Sequence, residues 1–233
     1  MSNSSGKHIP VYVGTYTGDR TEGIHTLRMD TSTGELEAIS KVADVRNPFF
    51  LTTNSNDSAL YAGCCIDEFE GEKGGSVKSF SIDAESGALT QTSEQAAKGE
   101  TPCYVSVDPT DAILLVANYS SGSVATFSID ADGKLEPASQ VIQHEGSSVD
   151  TGRQEGPHVH SIVISPDSRF AFAADLGTDE VRVYKLDAAN AALTPNDPPF
   201  ASTKPGAGPR HLAFNPSGTK AYLLNELDST IVV

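Results

Sequence analysis

The chain has 233 residues, with 16 Lys plus Arg against 31 Asp plus Glu and a formal net charge of -15. Such acidity repels phosphate backbones and anionic lipid, so neither nucleic acid nor a membrane surface is an expected partner. Hydrophobic residues at 38% and charged residues at 20% describe a globular chain, and no apolar run approaches the roughly 18 residues of a membrane span. The three cysteines, Cys64, Cys65 and Cys103, are odd in number and two are adjacent. They make neither a disulfide framework nor a C-x-x-C metal site, and a reducing cytoplasm is the expected location.

Residues 1–8 lack the apolar core of a secretory signal and read as a disordered tail. From residue 9 onward the chain repeats. Asn47-Pro48, Thr101-Pro102, Gly156-Pro157 and Gly208-Pro209 each open a similar stretch, the prolines lying 54, 55 and 52 residues apart. A short alternating apolar run follows each. It leads into a polar turn: Asn54-Ser-Asn-Asp57, Asp108-Pro-Thr-Asp111, Ser165-Pro-Asp-Ser168 and Asn215-Pro-Ser-Gly218. A second apolar run comes next, then a third such as Ser76–Asp83, Ser123–Asp130 and Glu180–Asp187. A fourth begins Gly-x-Leu at Gly87 and Gly133, with Ala191-Ala-Leu193 as a looser copy. Period-two alternation punctuated by Asn, Asp, Gly and Pro is a strand signal.

Four antiparallel strands per unit, in units of about 50 residues, predict an all-β chain folded as a β-propeller. Lettering the strands A to D from the axis outwards, Ile9–Thr15 matches a strand B. The expected blades are 9–45 (strands B to D), 46–99, 100–150, 151–206 and a partial fifth at 207–233. About four and a half blades, ending on the apolar Ile231-Val-Val233, predict a piece of a larger closed ring.

Aligning the turn prolines Pro109, Pro166 and Pro216 puts Cys103, His160 and Arg210 at one position, six residues earlier. Asn118, Asp175 and Asn225, nine residues after each proline, stand at the exit of strand B. In an antiparallel pair these two places share one end of the blade. His160, Arg210, Asn225 and Glu226 should therefore gather near the axis, with Tyr16 of the first blade on the same face. A titratable base, a fixed cation and a carboxylate there suit an anionic, oxygen-rich small molecule. His160 or Glu226 would act as base, and Arg210 would grip an anion or hold a developing oxyanion. The competing reading is a salt bridge of Arg210 with Glu226, with His160 merely satisfying backbone. His158 and His160 form an H-x-H pair, but no third ligand is evident and no metal is expected. The polar stretch 147–155 reads as a lid bringing Arg153 as a second anion contact, or as a tolerated insertion. His211 should point away from Arg210. Tyr104, Phe127, Phe172, Phe214 and Tyr222 should pack between blades.

Val11-Tyr-Val-Gly-Thr-Tyr-Thr-Gly18, Gly23-Ile-His25 and Gly34-Glu-Leu36 resemble the opening of the lactonase family of seven-bladed propellers. Pro157-His-Val-His-Ser161, Gly208-Pro-Arg-His-Leu-Ala-Phe214 and Asn225-Glu226 match that family's internal motifs in order. The resemblance implies hydrolysis of a sugar lactone, foremost 6-phosphoglucono-lactone in the pentose phosphate pathway. It implies His160, Arg210 and Glu226 as catalytic groups, with Arg210, Asn225, Tyr16, His158 and Arg153 binding substrate. It implies no cofactor and no required metal. Muconate lactonisation, which the family also contains, needs the same groups. A non-catalytic propeller scaffold is the alternative of another class.

Overall fold

The structure, a computed structural model, describes residues 7–17 and 22–233. The tail expected at residues 1–8 therefore lies largely outside the described residues. At its inner end the structure corrects it. Strand β1 (His8–Gly14) already includes His8, which pairs with Asp30, and the Lys7 carbonyl accepts from the Thr31 amide at 3.0 Å.

Five antiparallel sheets follow one another, each ordered as its strands occur in the chain. The first is β1, β2 (Ile24–Asp30) and β3 (Leu36–Val42). The second is β4 (Pro48–Thr53), β5 (Ala59–Cys64), β8 (Ser76–Ile82) and β9 (Leu89–Ala96). A small hairpin, β6 (Glu68–Phe69) with β7 (Glu72–Lys73), interrupts it and has no counterpart in the sequence pattern. The third is β10 (Pro102–Val107), β11 (Ile113–Asn118), β12 (Ser123–Ile129) and β13 (Leu135–Gln143). The fourth is β14 (Val159–Ile164), β15 (Phe170–Asp175), β16 (Glu180–Asp187) and β17 (Ala192–Ser202), with one 3-10 turn at Ala188–Asn190. The fifth is β18 (Pro209–Phe214), β19 (Ala221–Asn225) and β20 (Ile231–Val232). The first strands of successive sheets, β4, β10, β14 and β18, touch each other in turn. This is the β-propeller that the four-beat repeat predicts, with strand A innermost.

The second, third and fourth sheets are covered on both faces, so their central strands read as continuous apolar runs, while the first and fifth sheets each leave apolar side chains such as Val13 and Leu224 exposed. In β11, Leu114 and Val116 pack with Tyr61 and Val77 of the second sheet. Ile113, Leu115 and Ala117 pack with Ile162 and Ala173 of the fourth. Two tyrosines at one position latch neighbouring blades. Tyr12 donates to the Gly87 carbonyl at 2.9 Å and Tyr61 to the Gly133 carbonyl at 3.1 Å.

The turn between strands A and B is built alike four times. Its first residue caps the backbone beyond it: Asn54 accepts from Ala59, Asp108 from Ile113, Ser165 from Phe170 and Asn215 from Lys220. Its fourth residue is left-handed, at Asp57 (φ 56), Asp111 (φ 59), Ser168 (φ 55) and Gly218 (φ 67). Asp and Gly tolerate that conformation, which is why they recur there.

Candidate functional site

One irregularity, repeated in four blades, shapes the inner surface. The A–B register slips between Pro48 and Phe50, Pro102 and Tyr104, Val159 and Ser161, and Pro209 and His211. The extra residues are Phe49, Cys103, His160 and Arg210. A β-bulge leaves one residue unpaired, bends the strand and re-aims its side chains. His160 and Arg210 do share one structural position, as the repeat predicts. The bulge also overturns one expectation. His211 is not turned away, because its ring centroid lies 5.2 Å from that of His160.

Glu226 follows the last residue of β19, and its amide donates to the Gly208 carbonyl at 2.7 Å. Its carboxylate spans two guanidinium groups. Oε1 accepts from Arg153 Nη2 at 2.6 Å, and Oε2 lies 3.0 Å from Arg210 Nε and 3.8 Å from His160 Nε2. Arg210 Nε donates to His160 Nε2 at 3.1 Å. Nε2 is thus an acceptor, and the network assigns the ring proton to Nδ1, which is buried without a partner. Burial, followed by the positive neighbours Arg210 and His211, pushes the His160 imidazole down to about 4. For Glu226, burial raises the carboxyl. The Arg153 hydrogen bond and the charges of Arg153, His160 and Arg210 outweigh it, leaving it below the usual carboxylate range.

Arg153 comes from the long loop ahead of β14, and that loop is braced. Gln154, fully buried, donates to the Leu176 carbonyl at 2.8 Å and accepts from the Asp150 amide at 3.1 Å. Asp150 accepts from the Gly152 and Arg153 amides. Ser148 donates to Asp179, whose carboxylate also accepts from Gly206 and Gly208, just ahead of Arg210. One buried carboxylate thus ties together the two loops that deliver the arginines.

The structure treats the remaining candidates differently. His158 precedes β14, stacks on Tyr119 with centroids 4.8 Å apart, and bonds the Tyr119 carbonyl and Glu155. It supports Tyr119, and the carboxylate it bonds is that of Glu155. Asn225, expected to bind substrate, is 2% exposed and donates to Thr230 at 3.0 Å. Its equivalent Asn118 likewise turns inward, donating to the Ala97 carbonyl in the connection ahead of β10, so the strand B exit braces neighbouring backbone and turns. Tyr16 is 70% exposed and packs edge-on against Phe49. Cys103 is buried, its thiol pushed up to about 12 by burial. Among the described residues no group of three or more His, Cys, Asp or Glu is placed to hold a metal ion.

Two features escape the sequence pattern. Tyr119 stands edge-on to His160 and accepts from Arg153 at 3.4 Å through its hydroxyl. Phe50 stacks at 4.1 Å on Tyr104, which also packs against the core between the third and fourth sheets as expected, and with His211, Leu212, Tyr222 and Leu224 they border a pocket of about 320 Å³. Phe50 could have been found from its alignment with Tyr104 and His211, one residue past each bulge.

Fold and geometry together define a β-propeller with Arg153, Arg210, His160 and Glu226 clustered where strands A and B meet the end of the blades. The profile of the family described as "Lactonase, 7-bladed beta-propeller" matches residues 10–233, and the chain belongs to that family. A 6-phosphogluconolactonase of Bacillus subtilis (strain 168) is 38% identical over 221 residues, covering 95% of this chain and 60% of that protein. The periplasmic gluconolactonase of Pseudomonas aeruginosa superposes with a TM-score of 0.88 at 37% identity, over 97% of this chain and 63% of that one. A crystal structure from Bacteroides fragilis NCTC 9343 gives 0.91 at 34% identity, over 99% and 65%. The chain therefore spans about 60% of the curated relative's length.

Proposed function

We propose that the protein hydrolyses a sugar lactone, with 6-phospho-D-glucono-1,5-lactone the favoured substrate and 6-phosphogluconate the product. The observation that carries the proposal is the Glu226 carboxylate held between Arg153 and Arg210, with His160 behind Arg210. A carboxylate can take a proton, and an arginine beside it can carry the charge that an attacked carbonyl develops.

Glu226 removes a proton from water as the water oxygen bonds to the lactone carbonyl carbon. The carbonyl oxygen becomes an oxyanion against the terminal nitrogens of Arg210. The oxyanion then re-forms the carbonyl, the bond to the ring oxygen breaks, and that oxygen takes the proton back from Glu226. One water is consumed, and the new acid ionises on release. His160 is the weaker candidate for base, since its Nε2 lone pair accepts from Arg210. It holds the guanidinium flat and turned toward the mouth.

The test is turnover of 6-phosphogluconolactone after subtraction of spontaneous hydrolysis. Glu226→Gln should lower kcat by about 10²-fold or more. Arg169→Ala, in the A–B turn at the other end of the blade, serves as the control. Equal rates for the two variants would remove the site from this mouth. Turnover of a carboxymuconate in place of the lactone would favour cyclisation, and binding without turnover a scaffold. The three unpaired cysteines suit the cytoplasm, the compartment we propose and cell fractionation tests.

A further inference from the structure

We infer that Arg153 reads the phosphate of a phosphorylated sugar lactone, and that its bond to Glu226 is a resting contact which that phosphate displaces. The inference rests on the lactonase reading above and deepens it.

The two oxygens of Glu226 have different partners. Oε2 faces Arg210 and His160, both delivered by the repeated bulge. Oε1 faces Arg153, delivered by the 147–155 loop. The connections ahead of β4, β10 and β18 are residues 43–47, 97–101 and 203–208, while the one ahead of β14 runs over 144–158, so this contact comes from an addition to the repeat rather than from its framework. Losing it leaves Glu226 still held by Arg210 and by its own amide bond to Gly208.

Arg153 is also placed to bind something from solvent. Its side chain is 44% exposed, and its base is fixed through Asp150 and Gln154. The Tyr119 hydroxyl beside it supplies a second polar contact. A phosphate monoester carries more charge than a carboxylate and matches a guanidinium fork with two oxygens. In a chain of net charge -15 the attraction of such an anion must come from local cations, and Arg153 and Arg210 are the two that meet at this carboxylate.

Displacement does two things together. The phosphate takes Arg153, and Oε1 of Glu226 loses its donor and is free to accept from water. A lactone without phosphate fills the site but leaves the Arg153–Glu226 pair closed. Phosphate recognition is thereby coupled to uncovering the base.

The experiment compares kcat/KM on 6-phosphogluconolactone and on unphosphorylated glucono-1,5-lactone, for the wild type, Arg153→Ala and Arg153→Lys. The wild type should favour the phosphorylated lactone, and Arg153→Ala should cut that ratio about tenfold or more. Arg153→Lys should recover part of the ratio, since an ammonium supplies charge without the fork. An equal change on both substrates, or none, overturns the inference while leaving lactone hydrolysis standing. If the wild type turns over neither substrate, the lactonase reading fails, and calorimetric binding of 6-phosphogluconate against gluconate decides. Preference for the phosphorylated acid that Arg153→Ala abolishes supports the phosphate site, and binding without preference removes it. Near-ultraviolet circular dichroism of each variant separates lost recognition from lost folding.

Discussion

A histidine that accepts a hydrogen bond from arginine cannot also carry a proton at that nitrogen. Protonating His160 would break the Arg210 bond and place a second charge in a site 9% exposed. In the unfolded chain the same imidazole titrates near 6.5. Its folded value is depressed to about 4, so the unfolded state binds the extra proton between those two values. Stability is therefore present above 6.5 and is lost as pH falls through that window. From pH 7 to pH 5 this one residue should remove about 2 kcal/mol. His160→Gln keeps an acceptor but cannot titrate. The drop in urea unfolding free energy between pH 7 and 5 should be smaller in His160→Gln by that amount. An unchanged drop would mean that His160 is protonated in the folded protein. The lowered carboxyl of Glu226 gives a second sign: activity should hold as pH falls to about 5 and fail only below the usual carboxylate range.

At the scale of the turn, four copies of one design differ in how the left-handed fourth position is filled. The left-handed fourth position holds Asp57, Asp111 and Gly218 in three blades but Ser168 in the fourth. Asp57 and Asp111 offset the strain with side-chain bonds, to Thr53 and to Ser55 of the neighbouring turn. Ser168 makes only its backbone bond to Ser165. A left-handed L-residue costs about 1–2 kcal/mol, and glycine gives back part of that in unfolded-state entropy. Ser168→Gly should therefore stabilise by about 0.5–1 kcal/mol, read as a higher urea midpoint at unchanged slope. Asp111→Gly should not stabilise, because it loses two bonds to Ser55 as it relieves the backbone. Equal effects of the two substitutions would show that strain alone sets the order. These turns were legible in the sequence because their chemistry is local: a capping side chain and a left-handed residue within four positions, with a proline between them in three of the four. The bulge was not. One extra residue leaves the apolar alternation looking intact while it changes which side chains meet, and so alternation alone turns His211 away from the His160 ring that it packs against.

Across the whole molecule, the blade repeat could be read from spacing alone, but the contacts that join blades could not. His144 lies between the third and fourth blades. Its Nδ1 is 2.7 Å from Asp175 Oδ2, and its Nε2 is 2.8 Å from the Tyr184 hydroxyl. These partners stand 31 and 40 residues away, and the second and third blades carry Cys64 and Asn118 in place of Asp175 and Phe80 and Phe127 in place of Tyr184, so no repeated pairing marks them. Asp175 also accepts from the amides of His158 and Gly177, so this one carboxylate anchors the segment entering His160. Asp175→Ala would strand three buried donors at about 1–3 kcal/mol each and should cost about 3 kcal/mol or more. The repeat itself says which replacement is gentler, since Asn118 and Asn225 occupy the same position in their blades. In Asp175→Asn the side-chain oxygen can still accept from both amides. The amide nitrogen would then donate to His144 Nδ1, His144 Nε2–H would donate to the Tyr184 oxygen, and every buried group would keep a partner. Asp175→Asn should therefore lose less than half of what Asp175→Ala loses in urea unfolding. Equal losses would mean that the negative charge, and not the count of satisfied donors, holds the third and fourth blades together.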